Sequence, residues 1–529
     1  MERVHFSWQF AVLALAGVLA AGLSGCGRRA HYSDVSAHSV YRAAAPAPRV
    51  DEGMRYADYG TNQTTHTADQ RSSTFSADVD TASYSLARRY LLAGQLPPRP
   101  AVRTEEFLNA MDYDYPSPAD GDLAVHVEAC PAPFQDRTLL VRVGLQARRV
   151  HEADRTPADI VLVLDVSGSM AEGQKWPLMM AACRTLLENL DDRDRVAVVC
   201  YNTEARVLAG FTRASERAAV LYEVNRLRPE GATSVQAGME KAYELAGEAR
   251  EQNIRNRITR LTHIVLFSDG LANTDATQAQ RVLQYARHCR EKGVTLTTVG
   301  VGFGNYNDAM LQQLADTADG NYHYLDTSEQ AAAIFQDNFV GNCQLVAKDV
   351  KIRVEFDPSS VSRYRLMGYE KRALTEEQFR DKHTDAGDMG AGKSVTALYA
   401  VQLRAGAGGD GRARLAKVEV RYHRPDGQKT RTVESQINVR DIQPTFHYAS
   451  PDTQRAAVTA YLAEWLRQSY WSQRYRPADL RTLARAIAAP GRFDTRHREL
   501  LEMIDRAEGL GEPKSQIQED DGLWWRKDD

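Results

Sequence analysis

Cysteine is scarce in this chain, and none of it is paired in a C-x-x-C spacing: the 529 residues hold 6 cysteines. That spacing argues against the common zinc ribbons and dithiol redox centres. Charge of one sign is missing too, since 66 basic and 70 acidic residues leave a formal −4. Such a balance gives no basic field for nucleic acid. Apolar runs are short: the one at residues 10–23 stops after fourteen positions, too few to span a bilayer comfortably. No G-x-S-x-G elbow accompanies the histidines, His263 and His323, which lie in or beside strand patterns and read as core or rim residues. The length exceeds one ordinary core, so two or three domains are expected.

What is present is concentrated at residues 160–170, I-V-L-V-L-D-V-S-G-S-M. Five aliphatic residues form a strand with no wet face, and it runs into a turn carrying one carboxylate and two hydroxyls. This predicts a central strand of a parallel sheet with a binding crevice at its carboxyl end. Asp165, Ser167 and Ser169 alternate along the loop, so all three can point at one spot. Hard oxygen donors without Cys or His suit Mg²⁺, Mn²⁺ or Ca²⁺ rather than zinc.

D-x-S-x-S after such a strand resembles the metal-ion-dependent adhesion site of von Willebrand factor type A domains. The resemblance implies that a Thr and an Asp from two later loops complete the shell. The candidates are Thr233, in P-E-G-A-T-S, and Asp269, after the apolar strand at 264–268. It further implies that Ser167, Ser169 and Thr233 ligate directly, that Asp165 and Asp269 act directly or through water, and that a partner's Asp or Glu supplies the missing ligand. Mg²⁺ is the first expectation, with Mn²⁺ and Ca²⁺ as alternatives, because compact hydroxyl-rich shells favour the smaller ions.

At the amino terminus, the apolar run ends in Leu23-Ser24-Gly25-Cys26. This reads as a secretory signal over 1–25 whose cleavage site resembles the lipobox of bacterial lipoproteins. The implied product begins at Cys26, diacylated on sulfur. It would be anchored outside the cytoplasm, at the outer membrane of a Gram-negative cell since Gly27 follows; an ordinary signal peptide with a chance cysteine is the alternative. Residues 26–73 are rich in Ala, Ser, Thr, Asn, Gln and Pro and predict a flexible tether. Of the remaining cysteines, Cys183, Cys200 and Cys289 fall in helix or strand patterns and read as buried thiols, while Cys130 and Cys343 flank the central segment and are the one pair placed to form a bridge.

Residues 74–150 predict a helix with Tyr84, Ala87, Tyr90 and Leu91 on one face, a second helix over 102–111, and strands at 123–128 and 139–146. Asp78 and Asp80 read as helix-start carboxylates rather than metal ligands. Residues 158–341 then alternate strand and helix, a parallel sheet wrapped on both faces. From 342 to 445 the period changes to two, and these strands are expected to pair with those before the central domain in a β-sandwich into which the α/β domain is inserted. Residues 450–509 are helical, with Val458, Tyr461, Leu462, Trp465 and Leu466 on one face as core, and the tail 510–529 is polar apart from Trp524 and Trp525.

The expected class is therefore α/β: a Rossmann-like von Willebrand A domain with a parallel-sheet core, flanked by a β-sandwich built from segments on both sides and a C-terminal helical region. The segments V-R-T-E-E-F-L-N, A-K-D-V-K-I-R-V-E-F-D-P and Y-R-L-M-G-Y-E-K-R resemble the YfbK type of bacterial von Willebrand A lipoproteins, from about residue 74 to 509.

Residues 387–394, G-D-M-G-A-G-K-S, satisfy the nucleotide-binding pattern G-x-x-x-x-G-K-[ST]. That chemistry needs an apolar strand before the loop and a helix after it, whereas polar residues precede it and V-T-A-L-Y-A-V-Q-L behind it is a strand pattern, so no nucleotide is expected. Metal-assisted hydrolysis would need a further base beside an open metal position, and the candidate shell already uses both its acids. The expectation is a lipid-anchored, non-enzymatic protein that captures an acidic side chain of an unidentified partner protein. The alternative is a structural envelope lipoprotein whose metal only stiffens three loops, and a nucleotide hydrolase is a distant third.

Overall fold

Strand Ala158–Asp165 is buried along its whole length, and the reason lies in its two packed faces. Ile160, Leu162 and Leu164 face one core with Met179, Cys183 and Leu186 of helix Lys175–Glu188. Val161 and Val163 face another with Met239, Ala242 and Ala246 of helix Val235–Arg255. A strand buried on both sides can be uniformly apolar. The computed structural model describes residues 56, 58–77, 79–269, 276–302, 308–325, 327–335, 339–407, 412–425, 429–487 and 495–511. The signal segment with Cys26, together with Asp78, Trp524 and Trp525, lies outside them.

The central sheet runs Tyr322–Leu325, Thr295–Val301, Leu261–Ser268, Ala158–Asp165, Arg195–Tyr201, Ala205–Arg213. All neighbours are parallel except the last pair, an edge hairpin. The chain leaves Ala158–Asp165 towards one edge and resumes beyond it at Leu261–Ser268, which leads towards the other edge. The chain thus continues from these two adjacent strands towards opposite edges of the sheet, and such a switch point is the place where open α/β sheets bind ligands.

Two antiparallel sheets flank this domain. One has the order Thr65–His66, Val361–Met367, Ser394–Leu403, Thr138–Ala147, Leu123–Pro131. Its central pairing, from Ser394 opposite Gln146 to Gln402 opposite Thr138, joins a strand before the central domain to one after it. The other is built on Leu345–Phe356, with Ser72–Ser76 and Gly387–Gly390 along one side and Arg414–His423 then Thr430–Asn438 along the other. Side chains of both sheets, among them Phe75, Val141, Val143, Ile352, Val354, Val395, Tyr399 and Val418, share one core. The expected sandwich built from both flanks is therefore present. Helices Pro451–Leu466, Pro477–Ile487 and Thr495–Leu510 cover its outer face, with Val458, Tyr461, Leu462, Trp465 and Leu466 in a core that also takes in Tyr84, Phe107, Leu140 and Leu398.

Four expectations need correction. The tether is shorter than residues 26–73, because Thr65–His66 pairs with Val361–Met367 and Ser72–Ser76 pairs with Leu345–Phe356. Strands this short at a sheet edge carry no readable period. Asp80 is not a solvated helix-start carboxylate: it is buried, accepting from Gln312 Nε2 at 2.9 Å and the Tyr322 amide at 3.2 Å and facing Arg372. The second helix is only Thr104–Asn109, after a 3₁₀ turn at Arg99–Ala101. Cys130 and Cys343 are both free, the first under the C-terminal helices and the second beside His263.

Candidate functional site

Three loops meet at the carboxyl end of the central sheet. The first leaves Asp165, which is fully buried and whose Oδ1 accepts the Ser167 amide at 2.9 Å. This Asx-type turn points the next residues back over the strand end, and it brings Ser167 Oγ within 3.1 Å of Ser169 Oγ. The second loop, 229–234, is tied to the first by the main chain: Glu230 N donates to Val166 O at 2.8 Å and Gly168 N to Gly231 O at 3.0 Å. Ser234 N donates to Asn202 O at 2.6 Å, and the Ser234 hydroxyl caps helix Val235–Arg255. Thr233, half-buried, sits between these fixed points. The third site segment is represented by Asp269, which directly follows strand Leu261–Ser268 and is 7 % exposed.

Two further side chains complete the electrostatics. Tyr201, at the end of the neighbouring strand, donates from Oη to Asp165 Oδ2 at 3.1 Å and lies 3.2 Å from Phe267 O. Burial, then the Asp165 charge, hold its phenol well above the usual range, so it remains a donor. Lys175 Nζ donates to Asp269 Oδ2 at 3.0 Å and to Ser169 O at 3.3 Å. Burial, and next the Asp269 charge, push the Asp165 carboxyl up to about 6, against the bonds from Ser167 and Tyr201. Neither Tyr201 nor Lys175 was reached from the sequence. A basic residue opening a helix, where the macrodipole disfavours it, was the one available signal for Lys175.

The donor set is oxygen throughout, two carboxylates and three hydroxyls. Among the described residues no group of three His, Cys, Asp or Glu side chains is placed to hold a metal, so any ion here would depend on the hydroxyls. The set fits a small hard cation. Adjacent corners of an octahedron with bonds of about 2.0–2.1 Å lie roughly 3.0 Å apart, close to the separation of the two serine hydroxyls.

The pseudo-nucleotide motif is elsewhere and differently built. Its residues run as strand Gly387–Gly390, a turn, and strand Ser394–Leu403, so no helix amino terminus follows Lys393. His263 is buried against the hydroxyls of Thr295 and Thr297, and burial pushes its imidazole down to about 3.

Residues 159–337 match the profile of the von Willebrand factor type A domain, and residues 50–142 match one described as von Willebrand factor. Residues 341–510 match the C-terminal profile of the uncharacterized protein YfbK. Over 448 residues the chain is 33 % identical to YfbK of Escherichia coli (strain K12), covering 79 % of this chain and 76 % of that one. The chain belongs to the YfbK family of von Willebrand factor type A proteins. Beyond YfbK, it is 24 % identical over 342 residues to an uncharacterized protein of Synechocystis, covering 63 % of this chain and 77 % of the relative. Inter-alpha-trypsin inhibitor heavy chain H2 of Mus musculus shares 27 % over 185 residues, 34 % of this chain and 19 % of that one. A solved structure, von Willebrand factor type A from Catenulispora acidiphila, is 19 % identical with a TM-score of 0.40, covering 65 % of this chain and 79 % of that one. Type A domains are as a rule interaction modules rather than enzymes and commonly bind a divalent metal.

Proposed function

We propose that the chain captures another protein through a divalent cation, Mg²⁺ first, held by Asp165, Ser167, Ser169, Thr233 and Asp269, with the partner supplying an Asp or Glu. The observation that carries this reading is the crown itself: two hydroxyls 3.1 Å apart beside a fully buried carboxylate whose pKa is driven up to about 6. When bound, the ion supplies an electron-poor centre for an incoming carboxylate. The residues of the chain do the rest. Ser167, Ser169 and Thr233 would contribute neutral oxygens, and where Asp165 and Asp269 act through water the directly bonded shell carries no negative charge to cancel that of the ion. Tyr201 and the Ser167 amide orient Asp165.

The same geometry favours capture over a stiffening role. Glu230 to Val166 and Gly168 to Gly231 already join the first two loops through the main chain, so these loops need no ion to hold them together. We further propose that Cys26 carries the lipid and that the protein works at the cell envelope, at the outer membrane in a Gram-negative host.

Calorimetric titration of the full-length protein with Mg²⁺, Mn²⁺ and Ca²⁺, beside Asp165→Ala and Thr233→Ala, tests the site. Saturable binding that both variants lose, with little change in thermal stability, supports capture. A large fall in the Asp165→Ala unfolding midpoint that tracks metal loss would transfer the reading to loop stiffening. For the anchor, mass spectrometry of the membrane fraction should find a diacylglyceryl group on Cys26, and Cys26→Ser should release the chain from that fraction.

A further inference from the structure

Lys175 is a cation in two unfavourable settings at once. It opens helix Lys175–Glu188, whose amino end is already positive, and it is only 6 % exposed. What holds it there is the metal crown: Nζ lies 3.0 Å from Asp269 Oδ2 and 3.3 Å from Ser169 O, the third and first loops of the site. The aliphatic stem reaches this position by passing over Gly302, where a Cβ would lie 2.3 Å from Lys175 Cγ. A second carboxylate waits on the solvent side, Glu172 Oε2 at 3.7 Å, on a side chain 77 % exposed.

We infer that Lys175 is a tethered counter-cation: its ammonium neutralises Asp269 in the metal-free chain and moves to Glu172 when a divalent cation is held at the crown. The inference rests on the metal-site reading above. Its physical content is competition for one carboxylate. An ammonium at hydrogen-bond distance from Asp269 repels a divalent ion sharing that oxygen, so the two exclude each other, while Glu172 gives the displaced charge a partner in water. The crown can then lose its ion without leaving Asp269 buried and unpaired. Its affinity is set by an exchange of cations rather than by the oxygen donors alone.

Removing the competitor should therefore tighten binding, an effect a merely structural lysine would not produce. In calorimetric titration of the full-length protein with Mg²⁺ alone, Lys175→Met is expected to bind about tenfold or more tightly than the natural chain, within the usual range of coupling between two ligands. Its metal-free unfolding midpoint should fall, because Asp269 loses its partner. Glu172→Gln, a surface change, should weaken Mg²⁺ binding several-fold by removing the landing place. Lys241→Met, at an exposed lysine paired with Glu244 within helix Val235–Arg255, should change nothing and controls for net charge. If the natural chain binds Mg²⁺ and Lys175→Met binds no more tightly, the counter-cation role is overturned and the metal site stands. Absence of binding in every variant, Lys175→Met included, overturns both. Should Lys175→Met fail to fold, Glu172→Gln decides, and an unchanged affinity there refutes the exchange.

Discussion

Two glycines on one helix should respond in opposite directions to the same substitution. Helix Val235–Arg255 lies against the central sheet and carries Gly238 and Gly247. In a helix interior Gly→Ala ordinarily stabilises by about 1 kcal/mol. At Gly247 the added methyl would meet only the Lys292 side chain, Nζ at 3.5 Å and Cδ at 3.9 Å, which is ordinary contact with a flexible chain. Gly247→Ala should therefore raise stability by about 1 kcal/mol. At Gly238 the methyl would lie 2.7 Å from Tyr201 Cδ1 and 2.8 Å from Cγ. The ring is fully buried in the core and cannot rotate away, so it or the helix must shift. Overpacking of this kind costs about 1–3 kcal/mol. The phenol would also be pulled from Asp165 and Phe267, and a hydrogen bond to a charged group contributes about 1.5–3 kcal/mol. Against the helical gain, Gly238→Ala should lose about 1.5–5 kcal/mol net. Urea unfolding of the metal-free protein reads both variants, and Mg²⁺ titration should show weaker binding for Gly238→Ala alone. A stabilised Gly238→Ala, or unchanged metal affinity in it, would refute the claim that close helix approach fixes Tyr201 and, through it, Asp165.

At the opposite end of the sheet, Asp194 accepts from both terminal nitrogens of Arg155, at 2.9 and 2.7 Å, and from the amides of Ala158 and Asp191. Asp194→Ala strands a buried guanidinium and should cost about 3–5 kcal/mol in urea unfolding without changing Mg²⁺ affinity. The Asp165 carboxyl sits at about 6, above its unfolded value of about 3.9. Its ionisation therefore opposes folding above pH 6, by about 3 kcal/mol at full effect, and this cost disappears as pH falls from about 6 to about 4. In EDTA, the stability difference between the natural chain and Asp165→Asn should narrow over that window, and Mg²⁺ binding to the natural chain should weaken about fivefold between pH 6 and pH 5. Glu464, fully buried beside Arg365 and Arg467, ties the aromatic helix to the sandwich; Glu464→Leu leaves those guanidinium groups without it and should lower the urea midpoint by an amount corresponding to about 3 kcal/mol or more.

The central sheet was legible because its strands announce themselves: a run buried on both faces, such as residues 160–164, is apolar without alternation, and the polar turn after it marks the carboxyl end. The sandwich was legible for a different reason, since strands of period two on either side of a complete α/β unit have only each other to pair with. Side chains that act across strands were not. Tyr201 closes an apolar strand and looks like its last core residue; only the parallel register opposite Asp165 turns its hydroxyl into a donor. Asp80 looked like a helix-start carboxylate because its partners, Gln312 and Tyr322, lie more than 200 residues further on.

The pairing of Thr138–Ala147 with Ser394–Leu403 also sets an order of events in time. During synthesis at about 5–20 residues per second, the first of these strands waits roughly 12–50 s for its mate. All six strands of the central sheet emerge within that interval. The sandwich that frames the central domain in space is thus completed after it, and the earlier hairpin, Leu123–Pro131 with Thr138–Ala147, spends that time with an open edge. Slow, long-range strand pairing is where chains of this kind are most exposed to aggregation, and here that exposure falls on the frame rather than on the domain it holds.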